Sequence, residues 1–246
     1  MVKTTIFISK LEIDKDHTIN LNRNKSNYIS NVLRLKTGDS IHVIDGQGSR
    51  YEALILGINH NIVTISIVRK INYEKVFYKT VLFQSILKGS SMDKVIREVA
   101  ECGIKEIYPL ITERTIIKKT NKITRWINIV EEASEQAGRN HIPVIHNPIC
   151  IKDISFICQN NRDSIKLVFN REGLFLQDYL FDNYLESSIL FVIGPEGGLL
   201  QKEIDILEKT GFIKVNLGRY TLKAETAGPL ATTLIHYFID KKISTL

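Results

Sequence analysis

Two glycine loops near the end of the chain constrain its fold more than any other feature. Residues 194–198 (GPEGG) follow the apolar run 189–193 (ILFVI), and residues 217–227 (LGRYTLKAETA) follow 212–216 (FIKVN). Each pair is typical of a short strand ending in a loop that leads into a helix, and such units build a ligand crevice at the carboxyl edge of an α/β sheet. Neither loop has the glycine spacing of a phosphate loop or a dinucleotide fingerprint. The sequence therefore predicts a crevice for a ligand other than a nucleotide polyphosphate.

The composition narrows the class of protein. The 246 residues are 43% hydrophobic and 24% charged, as in an ordinary globular protein. No apolar stretch approaches the length of a membrane span, and the first residues lack the apolar core of a signal peptide. Neither the three cysteines (Cys102, Cys150 and Cys158) nor the six histidines have the spacing of a metal site. We therefore expect a cytoplasmic protein with no membrane partner and no metal.

The periodicity of the apolar residues changes along the chain. Residues 1–72 contain short alternating runs, such as 63–67 (VTISI), which predict a small β-barrel. Residues 73–246 alternate apolar strands with amphipathic helices, and the last helix is expected from about Glu225 to Lys242. This alternation predicts a mainly parallel sheet covered by helices on both faces. The predicted fold class is α/β, preceded by a small β-rich domain, with a linker around residues 70–75.

Several segments resemble one known family. The two glycine loops are similar to the cofactor-binding motifs of the SPOUT methyltransferases. Within that superfamily, the chain resembles the RsmE family in four further segments, which occur in order along the sequence. They are residues 32–39 (VLRLKTGD), 92–103 (MDKVIREVAECG), 109–115 (PLITERT) and 132–139 (EASEQAGR). The resemblance covers essentially the whole chain, so it is more specific than either loop alone.

The RsmE resemblance implies a fold, a reaction and partners. The fold is an N-terminal PUA-like β-barrel, residues 1–72, followed by a SPOUT methyltransferase domain tied in a trefoil knot, residues 73–246. The reaction is the methylation by S-adenosyl-L-methionine of N3 of one uridine, by resemblance uridine 1498, in the 16S rRNA of the small ribosomal subunit. The implied assembly is a homodimer formed through the C-terminal domain, located in the cytoplasm.

The resemblance, together with the residue types, indicates a set of cofactor contacts. Leu217, Gly218 and Leu222 are suited to bracket an adenine between backbone and apolar side chains. Alternatives stay open for parts of the set: the first loop is also a plain strand-to-helix turn, Glu196 either binds a ribose hydroxyl or faces water, and Thr226 either caps the last helix or touches the cofactor. The full set is Phe169, Gly194, Pro195, Glu196, Gly197, Gly198, Leu217, Gly218, Leu222 and Thr226.

Three residues are candidates for the catalytic step. The N3 proton of uracil leaves only with a base, or with a cation that stabilises the uracilate anion, and Lys223 and Glu225 in the second loop suit these roles. The resemblance adds Arg139, at a helix end that would approach the target base or the partner subunit's pocket. The alternative roles are helix-entry electrostatics for Lys223 and Glu225, and a surface pair with Glu135 for Arg139. The family usually has Arg and Thr where this chain has Lys223 and Ala224, and Lys lacks the planar fork of Arg.

The net charge of +6 permits a polyanionic partner without requiring one. We predict RNA contacts at Arg23, Arg34 and Lys36 in the N-terminal domain, because phosphate contacts need exposed basic side chains on a rigid frame. Arg114 is a further candidate, either for RNA or for the carboxylate of the cofactor.

Two other functions fit the same residues. The first is a SPOUT methyltransferase with another RNA target, such as tRNA. The second is a non-catalytic RNA-binding or ribosome-assembly factor that keeps the fold, and the departures at Lys223 and Ala224 are what favour it. A nucleotide-binding protein is disfavoured because the lysine pattern of a phosphate loop is missing.

Overall fold

The chain divides into two compact units in a computed structural model. The first unit takes in residues 1–75 and Ser134–Ile142, and the second takes in Val76–Ala133 and Pro143–Leu246. Residues 72–75 of the predicted linker lie outside the part of the chain that the structure describes. The described residues are 4–8, 18–71, 78–159, 161, 163–182 and 188–243.

The first unit is built on a five-stranded sheet in the order β1-β3-β4-β5-β2. The pairs are antiparallel except β1 with β3, which is parallel. Val63 and Ile65 are fully buried while Thr64 between them is half-buried, so the alternating run packs one face against the core as predicted. A short helix α1 (Arg23–Asn27) continues into one turn of π-helix (Tyr28–Val32). The strands are β1 (Thr5–Phe7), β2 (Thr18–Asn20), β3 (Ser40–Ile44), β4 (Arg50–Asn59) and β5 (Ile62–Ile71).

A distant part of the sequence, Ser134–Ile142, completes the first unit. Arg50 is only 7% exposed, and its guanidinium donates to Asn140 Oδ1 at 2.7 Å and to the carbonyl of Gly138. Glu135 Oε1 accepts from the backbone of Phe7 at 2.5 Å and from Lys25 Nζ. These bonds satisfy a buried cation and a half-buried carboxylate that would otherwise be costly to remove from water.

The second unit contains a seven-stranded parallel sheet in the order β12-β10-β11-β6-β7-β8, with β9 also paired to β7. The prediction of a mainly parallel sheet is therefore confirmed. The central strand β11 is buried along its whole length, which explains its unbroken apolar run. The strands are β6 (Thr80–Ser85), β7 (Glu106–Ile111), β8 (Val144–Ile145), β9 (Ile149–Cys150), β10 (Ile165–Phe175), β11 (Ile189–Ile193) and β12 (Ile213–Asn216).

Helices pack on both faces of this sheet. On one face Val81, Phe83 and Val192 join a core cluster with Leu207 of α6, and on the other α2 packs against α7. No described helix is long and apolar enough to span a bilayer. The trefoil knot stays a prediction. The helices are α2 (Ser91–Glu101), α3 (Ile123–Gln136), α4 (Ile154–Gln159), α5 (Leu176–Asp182), α6 (Gln201–Lys209) and α7 (Ala224–Ile243).

Candidate functional site

A cleft of about 710 Å³ opens where β11 and β12 end, beside residues 169–171 of the strand between them, β10. The two glycine loops follow β11 and β12, so the parallel sheet brings them to the same edge, as the sequence predicts. The volume lies within the usual range for small-molecule pockets. The lining residues are Phe169, Asn170, Arg171, Ile193, Gly194, Pro195, Glu196, Gly197, Gly198, Leu199, Asn216, Leu217, Gly218, Tyr220, Thr221, Leu222, Lys223, Ala224, Glu225 and Ala227.

Most of the predicted site residues meet in this cleft. All of the predicted cofactor contacts except Thr226 are among the lining residues, and so are Lys223 and Glu225. Thr226 is exposed on the first turn of α7, where its backbone N–H donates to the carbonyl of Lys223 at 2.9 Å. Arg139 belongs to the first unit and does not line the cleft.

The first loop is a tight turn that depends on glycine. The N–H of Gly198 donates to the carbonyl of Pro195 at 2.8 Å, and Gly198 has a φ of +71°, in the left-handed region that favours glycine. A Cβ on Gly198 would meet no atom within 4 Å, so the backbone conformation, not crowding, requires glycine there. Glu196 is exposed, and its Oε1 accepts from the backbone of Lys88 at 3.1 Å.

The second loop is held at its start by Asn216. Asn216 Oδ1 accepts from the backbone of Gly218 at 3.0 Å, and Asn216 Nδ2 donates to the carbonyl of Gly173. Gly173 lies so close to β12 that a Cβ would stand 2.4 Å from the backbone nitrogen of Val215. Asn216 thus links the loop to the far end of β10 and fixes the direction in which Leu217 and Gly218 leave the strand.

A third loop at this edge, residues 88–91, was missed by the sequence reasoning. Besides the bond from Lys88 to Glu196, Ser91 Oγ donates to Glu225 Oε2 at 2.9 Å. This loop follows β6, which lies beside β11 in the sheet. The only signal that could have found it is the strand order, because its sequence carries no ligand motif of its own.

Three basic residues line the cleft or contact its lining. Lys223 is exposed, and Arg171, which the sequence reasoning did not select, also lines the cleft. Arg114 extends over the first loop and donates from Nη1 to the carbonyl of Gly197. The part of the chain that the structure describes contains no cluster of three or more His, Cys, Asp or Glu residues able to hold a metal ion.

The predicted RNA contacts in the first unit are all exposed: Arg23, Arg34 and Lys36. Arg34 has a φ of +55°, an uncommon conformation for a residue with a side chain. The following turn is closed by the backbone of Lys36, which donates to Asp39 Oδ2 at 2.7 Å and accepts from the N–H of Asp39 at 3.0 Å. The two cations therefore stand on a well-defined turn at the end of the π-helix.

Comparison with protein families matches both units. The model of an RNA methyltransferase domain matches residues 74–236, and the model of an RNA methyltransferase PUA domain matches residues 21–68. The chain is 30% identical to the ribosomal RNA small subunit methyltransferase E of Synechocystis sp., over 91% of this chain and 74% of that protein.

Two solved structures are similar over nearly their full length. A putative methyltransferase from Legionella pneumophila, in complex with bound SAM, superposes with a TM-score of 0.85 at 27% identity, covering 96% of this chain and 98% of that one. A ribosomal RNA small subunit methyltransferase E from Neisseria gonorrhoeae, bound to S-adenosyl methionine, also has a TM-score of 0.85, at 26% identity, covering 96% and 97%.

Proposed function

The chain belongs to the ribosomal RNA small subunit methyltransferase E family, and on that premise we propose that it methylates N3 of one uridine in 16S rRNA. S-adenosyl-L-methionine would be the methyl donor, as it is the ligand of the two similar structures. One observation carries the proposal: a single cleft collects nearly all the predicted cofactor contacts together with Lys223 and Glu225.

The cofactor would be held mainly by backbone and apolar groups of this chain. Leu217, Gly218 and Leu222 offer a slot for the adenine, and the first loop offers its backbone next to Phe169. Gly198, whose Cβ position faces open space, lets that loop turn without placing a side chain there. When bound, S-adenosyl-L-methionine supplies an electrophilic methyl group on sulfur.

The chain's own contribution to the chemistry is to remove a proton and stabilise a charge. Glu225 lines the cleft, and the hydrogen bond from Ser91 holds its carboxylate in place. We therefore assign Glu225 the role of the base that accepts the N3 proton of uracil. The ammonium group of Lys223 stabilises the negative charge that develops on the uracil ring. Loss of the N3 proton to Glu225 frees the nitrogen lone pair, which would accept the methyl group as the bond between that methyl carbon and the donor's sulfur breaks.

The remaining features of the proposal follow the family. We propose a homodimer formed through the C-terminal domain, in which Arg139 approaches the target base or the partner subunit's pocket. The trefoil knot, the cytoplasmic location and the domains at residues 1–72 and 73–246 belong to the same proposal. Small-subunit rRNA would be held in part by Arg23, Arg34 and Lys36, which are exposed on the first unit.

The deciding experiment is methyl transfer from labelled S-adenosyl-L-methionine onto purified small ribosomal subunits that lack the mark. The RNA is digested, its nucleosides are resolved by mass spectrometry, and large subunits serve as the control substrate. We expect 3-methyluridine from the small subunit alone. A different methylated nucleoside would move the enzyme to another target, and binding of the cofactor without any transfer would favour the non-catalytic assembly factor.

A second experiment tests the proposed RNA surface. Replacing Arg34 and Lys36 by Ala should weaken RNA binding and reduce the slope of log Kd against log salt by about 1.4, for two lost phosphate contacts. The control replaces Arg69 and Lys70 on β5, which removes the same charge from the same unit. Equal changes in slope for both double variants would contradict the assignment of Arg34 and Lys36.

A further inference from the structure

Glu203 is a buried carboxylate with an unusual arrangement of partners. It is only 3% exposed, in the first turn of α6. Its Oε2 accepts from the backbone of Leu200, the residue before the helix, at 2.8 Å. Its Oε1 accepts from the backbone of Glu113 at 2.8 Å, in the segment that follows β7. A carboxylate this deeply buried is costly unless it is fully hydrogen-bonded, so both segments are held where these amides can reach it.

The segment that Glu203 holds is a closed turn around Arg114. Thr112 and Thr115 are both 2% exposed, and their hydroxyls lie 2.8 Å apart. The backbone of Thr112 donates to Thr115 Oγ1 at 3.0 Å, and the backbone of Thr115 donates to the carbonyl of Thr112 at 3.2 Å. The ammonium of Lys118 donates to the carbonyls of Thr112 and Glu113. The residues on either side of Arg114 are therefore fixed, although Arg114 itself is exposed.

Arg114 extends from this turn across the first glycine loop. A Cβ on Gly197 would lie 3.2 Å from Cδ of Arg114, so the side-chain stem passes directly over the glycine. Nη1 of Arg114 donates to the carbonyl of Gly197, which lines the cleft. A guanidinium has five N–H groups in a planar fork, and one of them is used here. No described residue accepts from the others, so they are available to an oxyanion at the rim of the cleft.

We propose that Glu203 is a positioning residue, which fixes the turn so that Arg114 presents its guanidinium to an oxyanion at the cleft. The oxyanion is either the carboxylate of the methyl donor or an RNA phosphate, and both offer the same chemistry to a guanidinium. The inference rests on the proposed function, since it takes the cleft as the site where the donor and the RNA meet. Glu203 acts only through Arg114 and touches neither ligand.

The test is a double-mutant cycle on the full chain with Glu203→Gln and Arg114→Gln. Affinities are measured for S-adenosyl-L-methionine, for methylthioadenosine, which lacks the carboxylate, and for small ribosomal subunits without the mark. We expect Arg114→Gln to lower the affinity for one of the two oxyanion ligands about 10-fold or more. Glu203→Gln should weaken the same ligand, and the double variant should bind it no more weakly than Arg114→Gln alone. Methylthioadenosine affinity should stay unchanged throughout. If the variants bind S-adenosyl-L-methionine more weakly, the oxyanion is the carboxylate of the methyl donor. If they bind the small subunit more weakly, it is an RNA phosphate.

Two controls separate positioning from general stability. Asp205→Asn removes another carboxylate from α6, one that is exposed and pairs with Gln201, and it should leave all affinities unchanged. Thr115→Val removes a hydrogen bond from the other side of the same turn, so it should give the same result as Glu203→Gln. It replaces Glu203→Gln if the Glu203 variant does not fold.

Three outcomes would overturn the inference. Glu203→Gln could lower the melting temperature without changing any affinity, which would make the residue purely structural. It could weaken binding by the same factor with and without Arg114, which would mean that it acts by another route. Arg114→Gln could leave every affinity unchanged, so that no oxyanion binds there. Methyl transfer by the unsubstituted protein decides the proposed function separately from all three.

Discussion

In the second unit, polar groups at the amino edge of the parallel sheet satisfy one another, whereas the carboxyl edge leaves some of its polar groups to the cleft. At the amino edge, where β7 begins, Glu106 accepts from Nε2 of His146 at 3.0 Å and from Nζ of Lys79 at 2.5 Å. Tyr108 stacks on the ring of His146 with centroids 3.8 Å apart. At the carboxyl edge, no described residue pairs with the ammonium of Lys223, and the loops expose their backbone to an open cleft.

This difference separates stability from function within one sheet. Polar groups that satisfy one another contribute to the folded state, whereas groups left without protein partners are available to a ligand. The amino edge also contains the bond from Tyr78 to Asp240, at 2.8 Å, and the contact between Thr80 and His236, at 3.0 Å. Substitutions at the carboxyl edge should therefore change binding and rate, and those at the amino edge should change the free energy of unfolding.

The largest effect is expected from Gly198→Val at the carboxyl edge. A β-branched side chain at a φ of +71° strains the turn and places methyl groups where the cofactor would approach, so affinity for S-adenosyl-L-methionine should fall at least about 100-fold by calorimetry. Gly38→Val in the first unit is the matched control, because Gly38 also has a positive φ and open space around it. It should lower the melting temperature similarly and leave affinity intact. Unchanged affinity in Gly198→Val would contradict the position of the pocket.

The next effect is on rate, not on binding. Lys223→Ala should reduce kcat by about 100-fold while changing cofactor affinity much less, because the ammonium is needed mainly when charge develops on the uracil. Lys223→Arg, which keeps the positive charge, should keep activity. Lys209→Ala, an exposed lysine at the end of α6, serves as the control for loss of charge. Equal losses in kcat and affinity for Lys223→Ala would instead indicate a binding role.

A smaller effect is expected at the amino edge, and on stability alone. Glu106→Gln should lower the free energy of unfolding by about 2 kcal/mol at pH 7, because it removes charge-assisted hydrogen bonds from His146 and Lys79. Urea denaturation measures this loss, and kcat per folded molecule should not change. Glu98→Gln, which breaks an exposed pair with Lys94, should cost only a few tenths of that. A fall in kcat for Glu106→Gln would show that the two edges are coupled.

The smallest effect is the pH dependence of that same stabilisation. The hydrogen bond from His146, with further help from Lys79, outweighs burial and lowers the pKa of Glu106 to about 2, from an ordinary value of 4.5. A lowered carboxyl pKa contributes stability that is fully present above the unfolded pKa and is lost as the pH falls through the folded one. The stability difference between the parent protein and Glu106→Gln should therefore shrink between about pH 4.5 and pH 2. A difference that stays constant across this window would contradict the assigned pair.

Local pattern was enough to predict some elements and not others. The apolar run of β11, the helix α7 and the meeting of the two glycine loops follow from periodicity and from the geometry of parallel sheets. Residues 88–91 were missed because their place at the cleft depends on β6 lying beside β11, and strand order is set by long-range packing. Arg171 was missed because β10 runs past the cleft, to Phe175, and nothing in its local sequence marks that extension.

Glu135 and Arg139 also show that local sequence pattern does not predict long-range partners. Their spacing suggests a surface pair on one helix, whereas Glu135 binds Phe7 and Lys25, which are more than 100 positions earlier in the chain. Helical periodicity reports only neighbours within a helix, so no reading of α3 alone could identify these partners.

The makeup of the first unit bears on how such a protein can be inherited. Because Ser134–Ile142 belongs to that unit, a gene rearrangement that transferred only the first 75 codons would deliver a module with Arg50 deprived of Asn140 and Gly138. A buried donor that loses its acceptor costs about 1–3 kcal/mol, so the loss of both bonds would remove a sizeable part of the stability of a small domain. The first 75 residues are thus expected to be inherited together with the segment that completes their unit, and not to be exchanged alone by recombination.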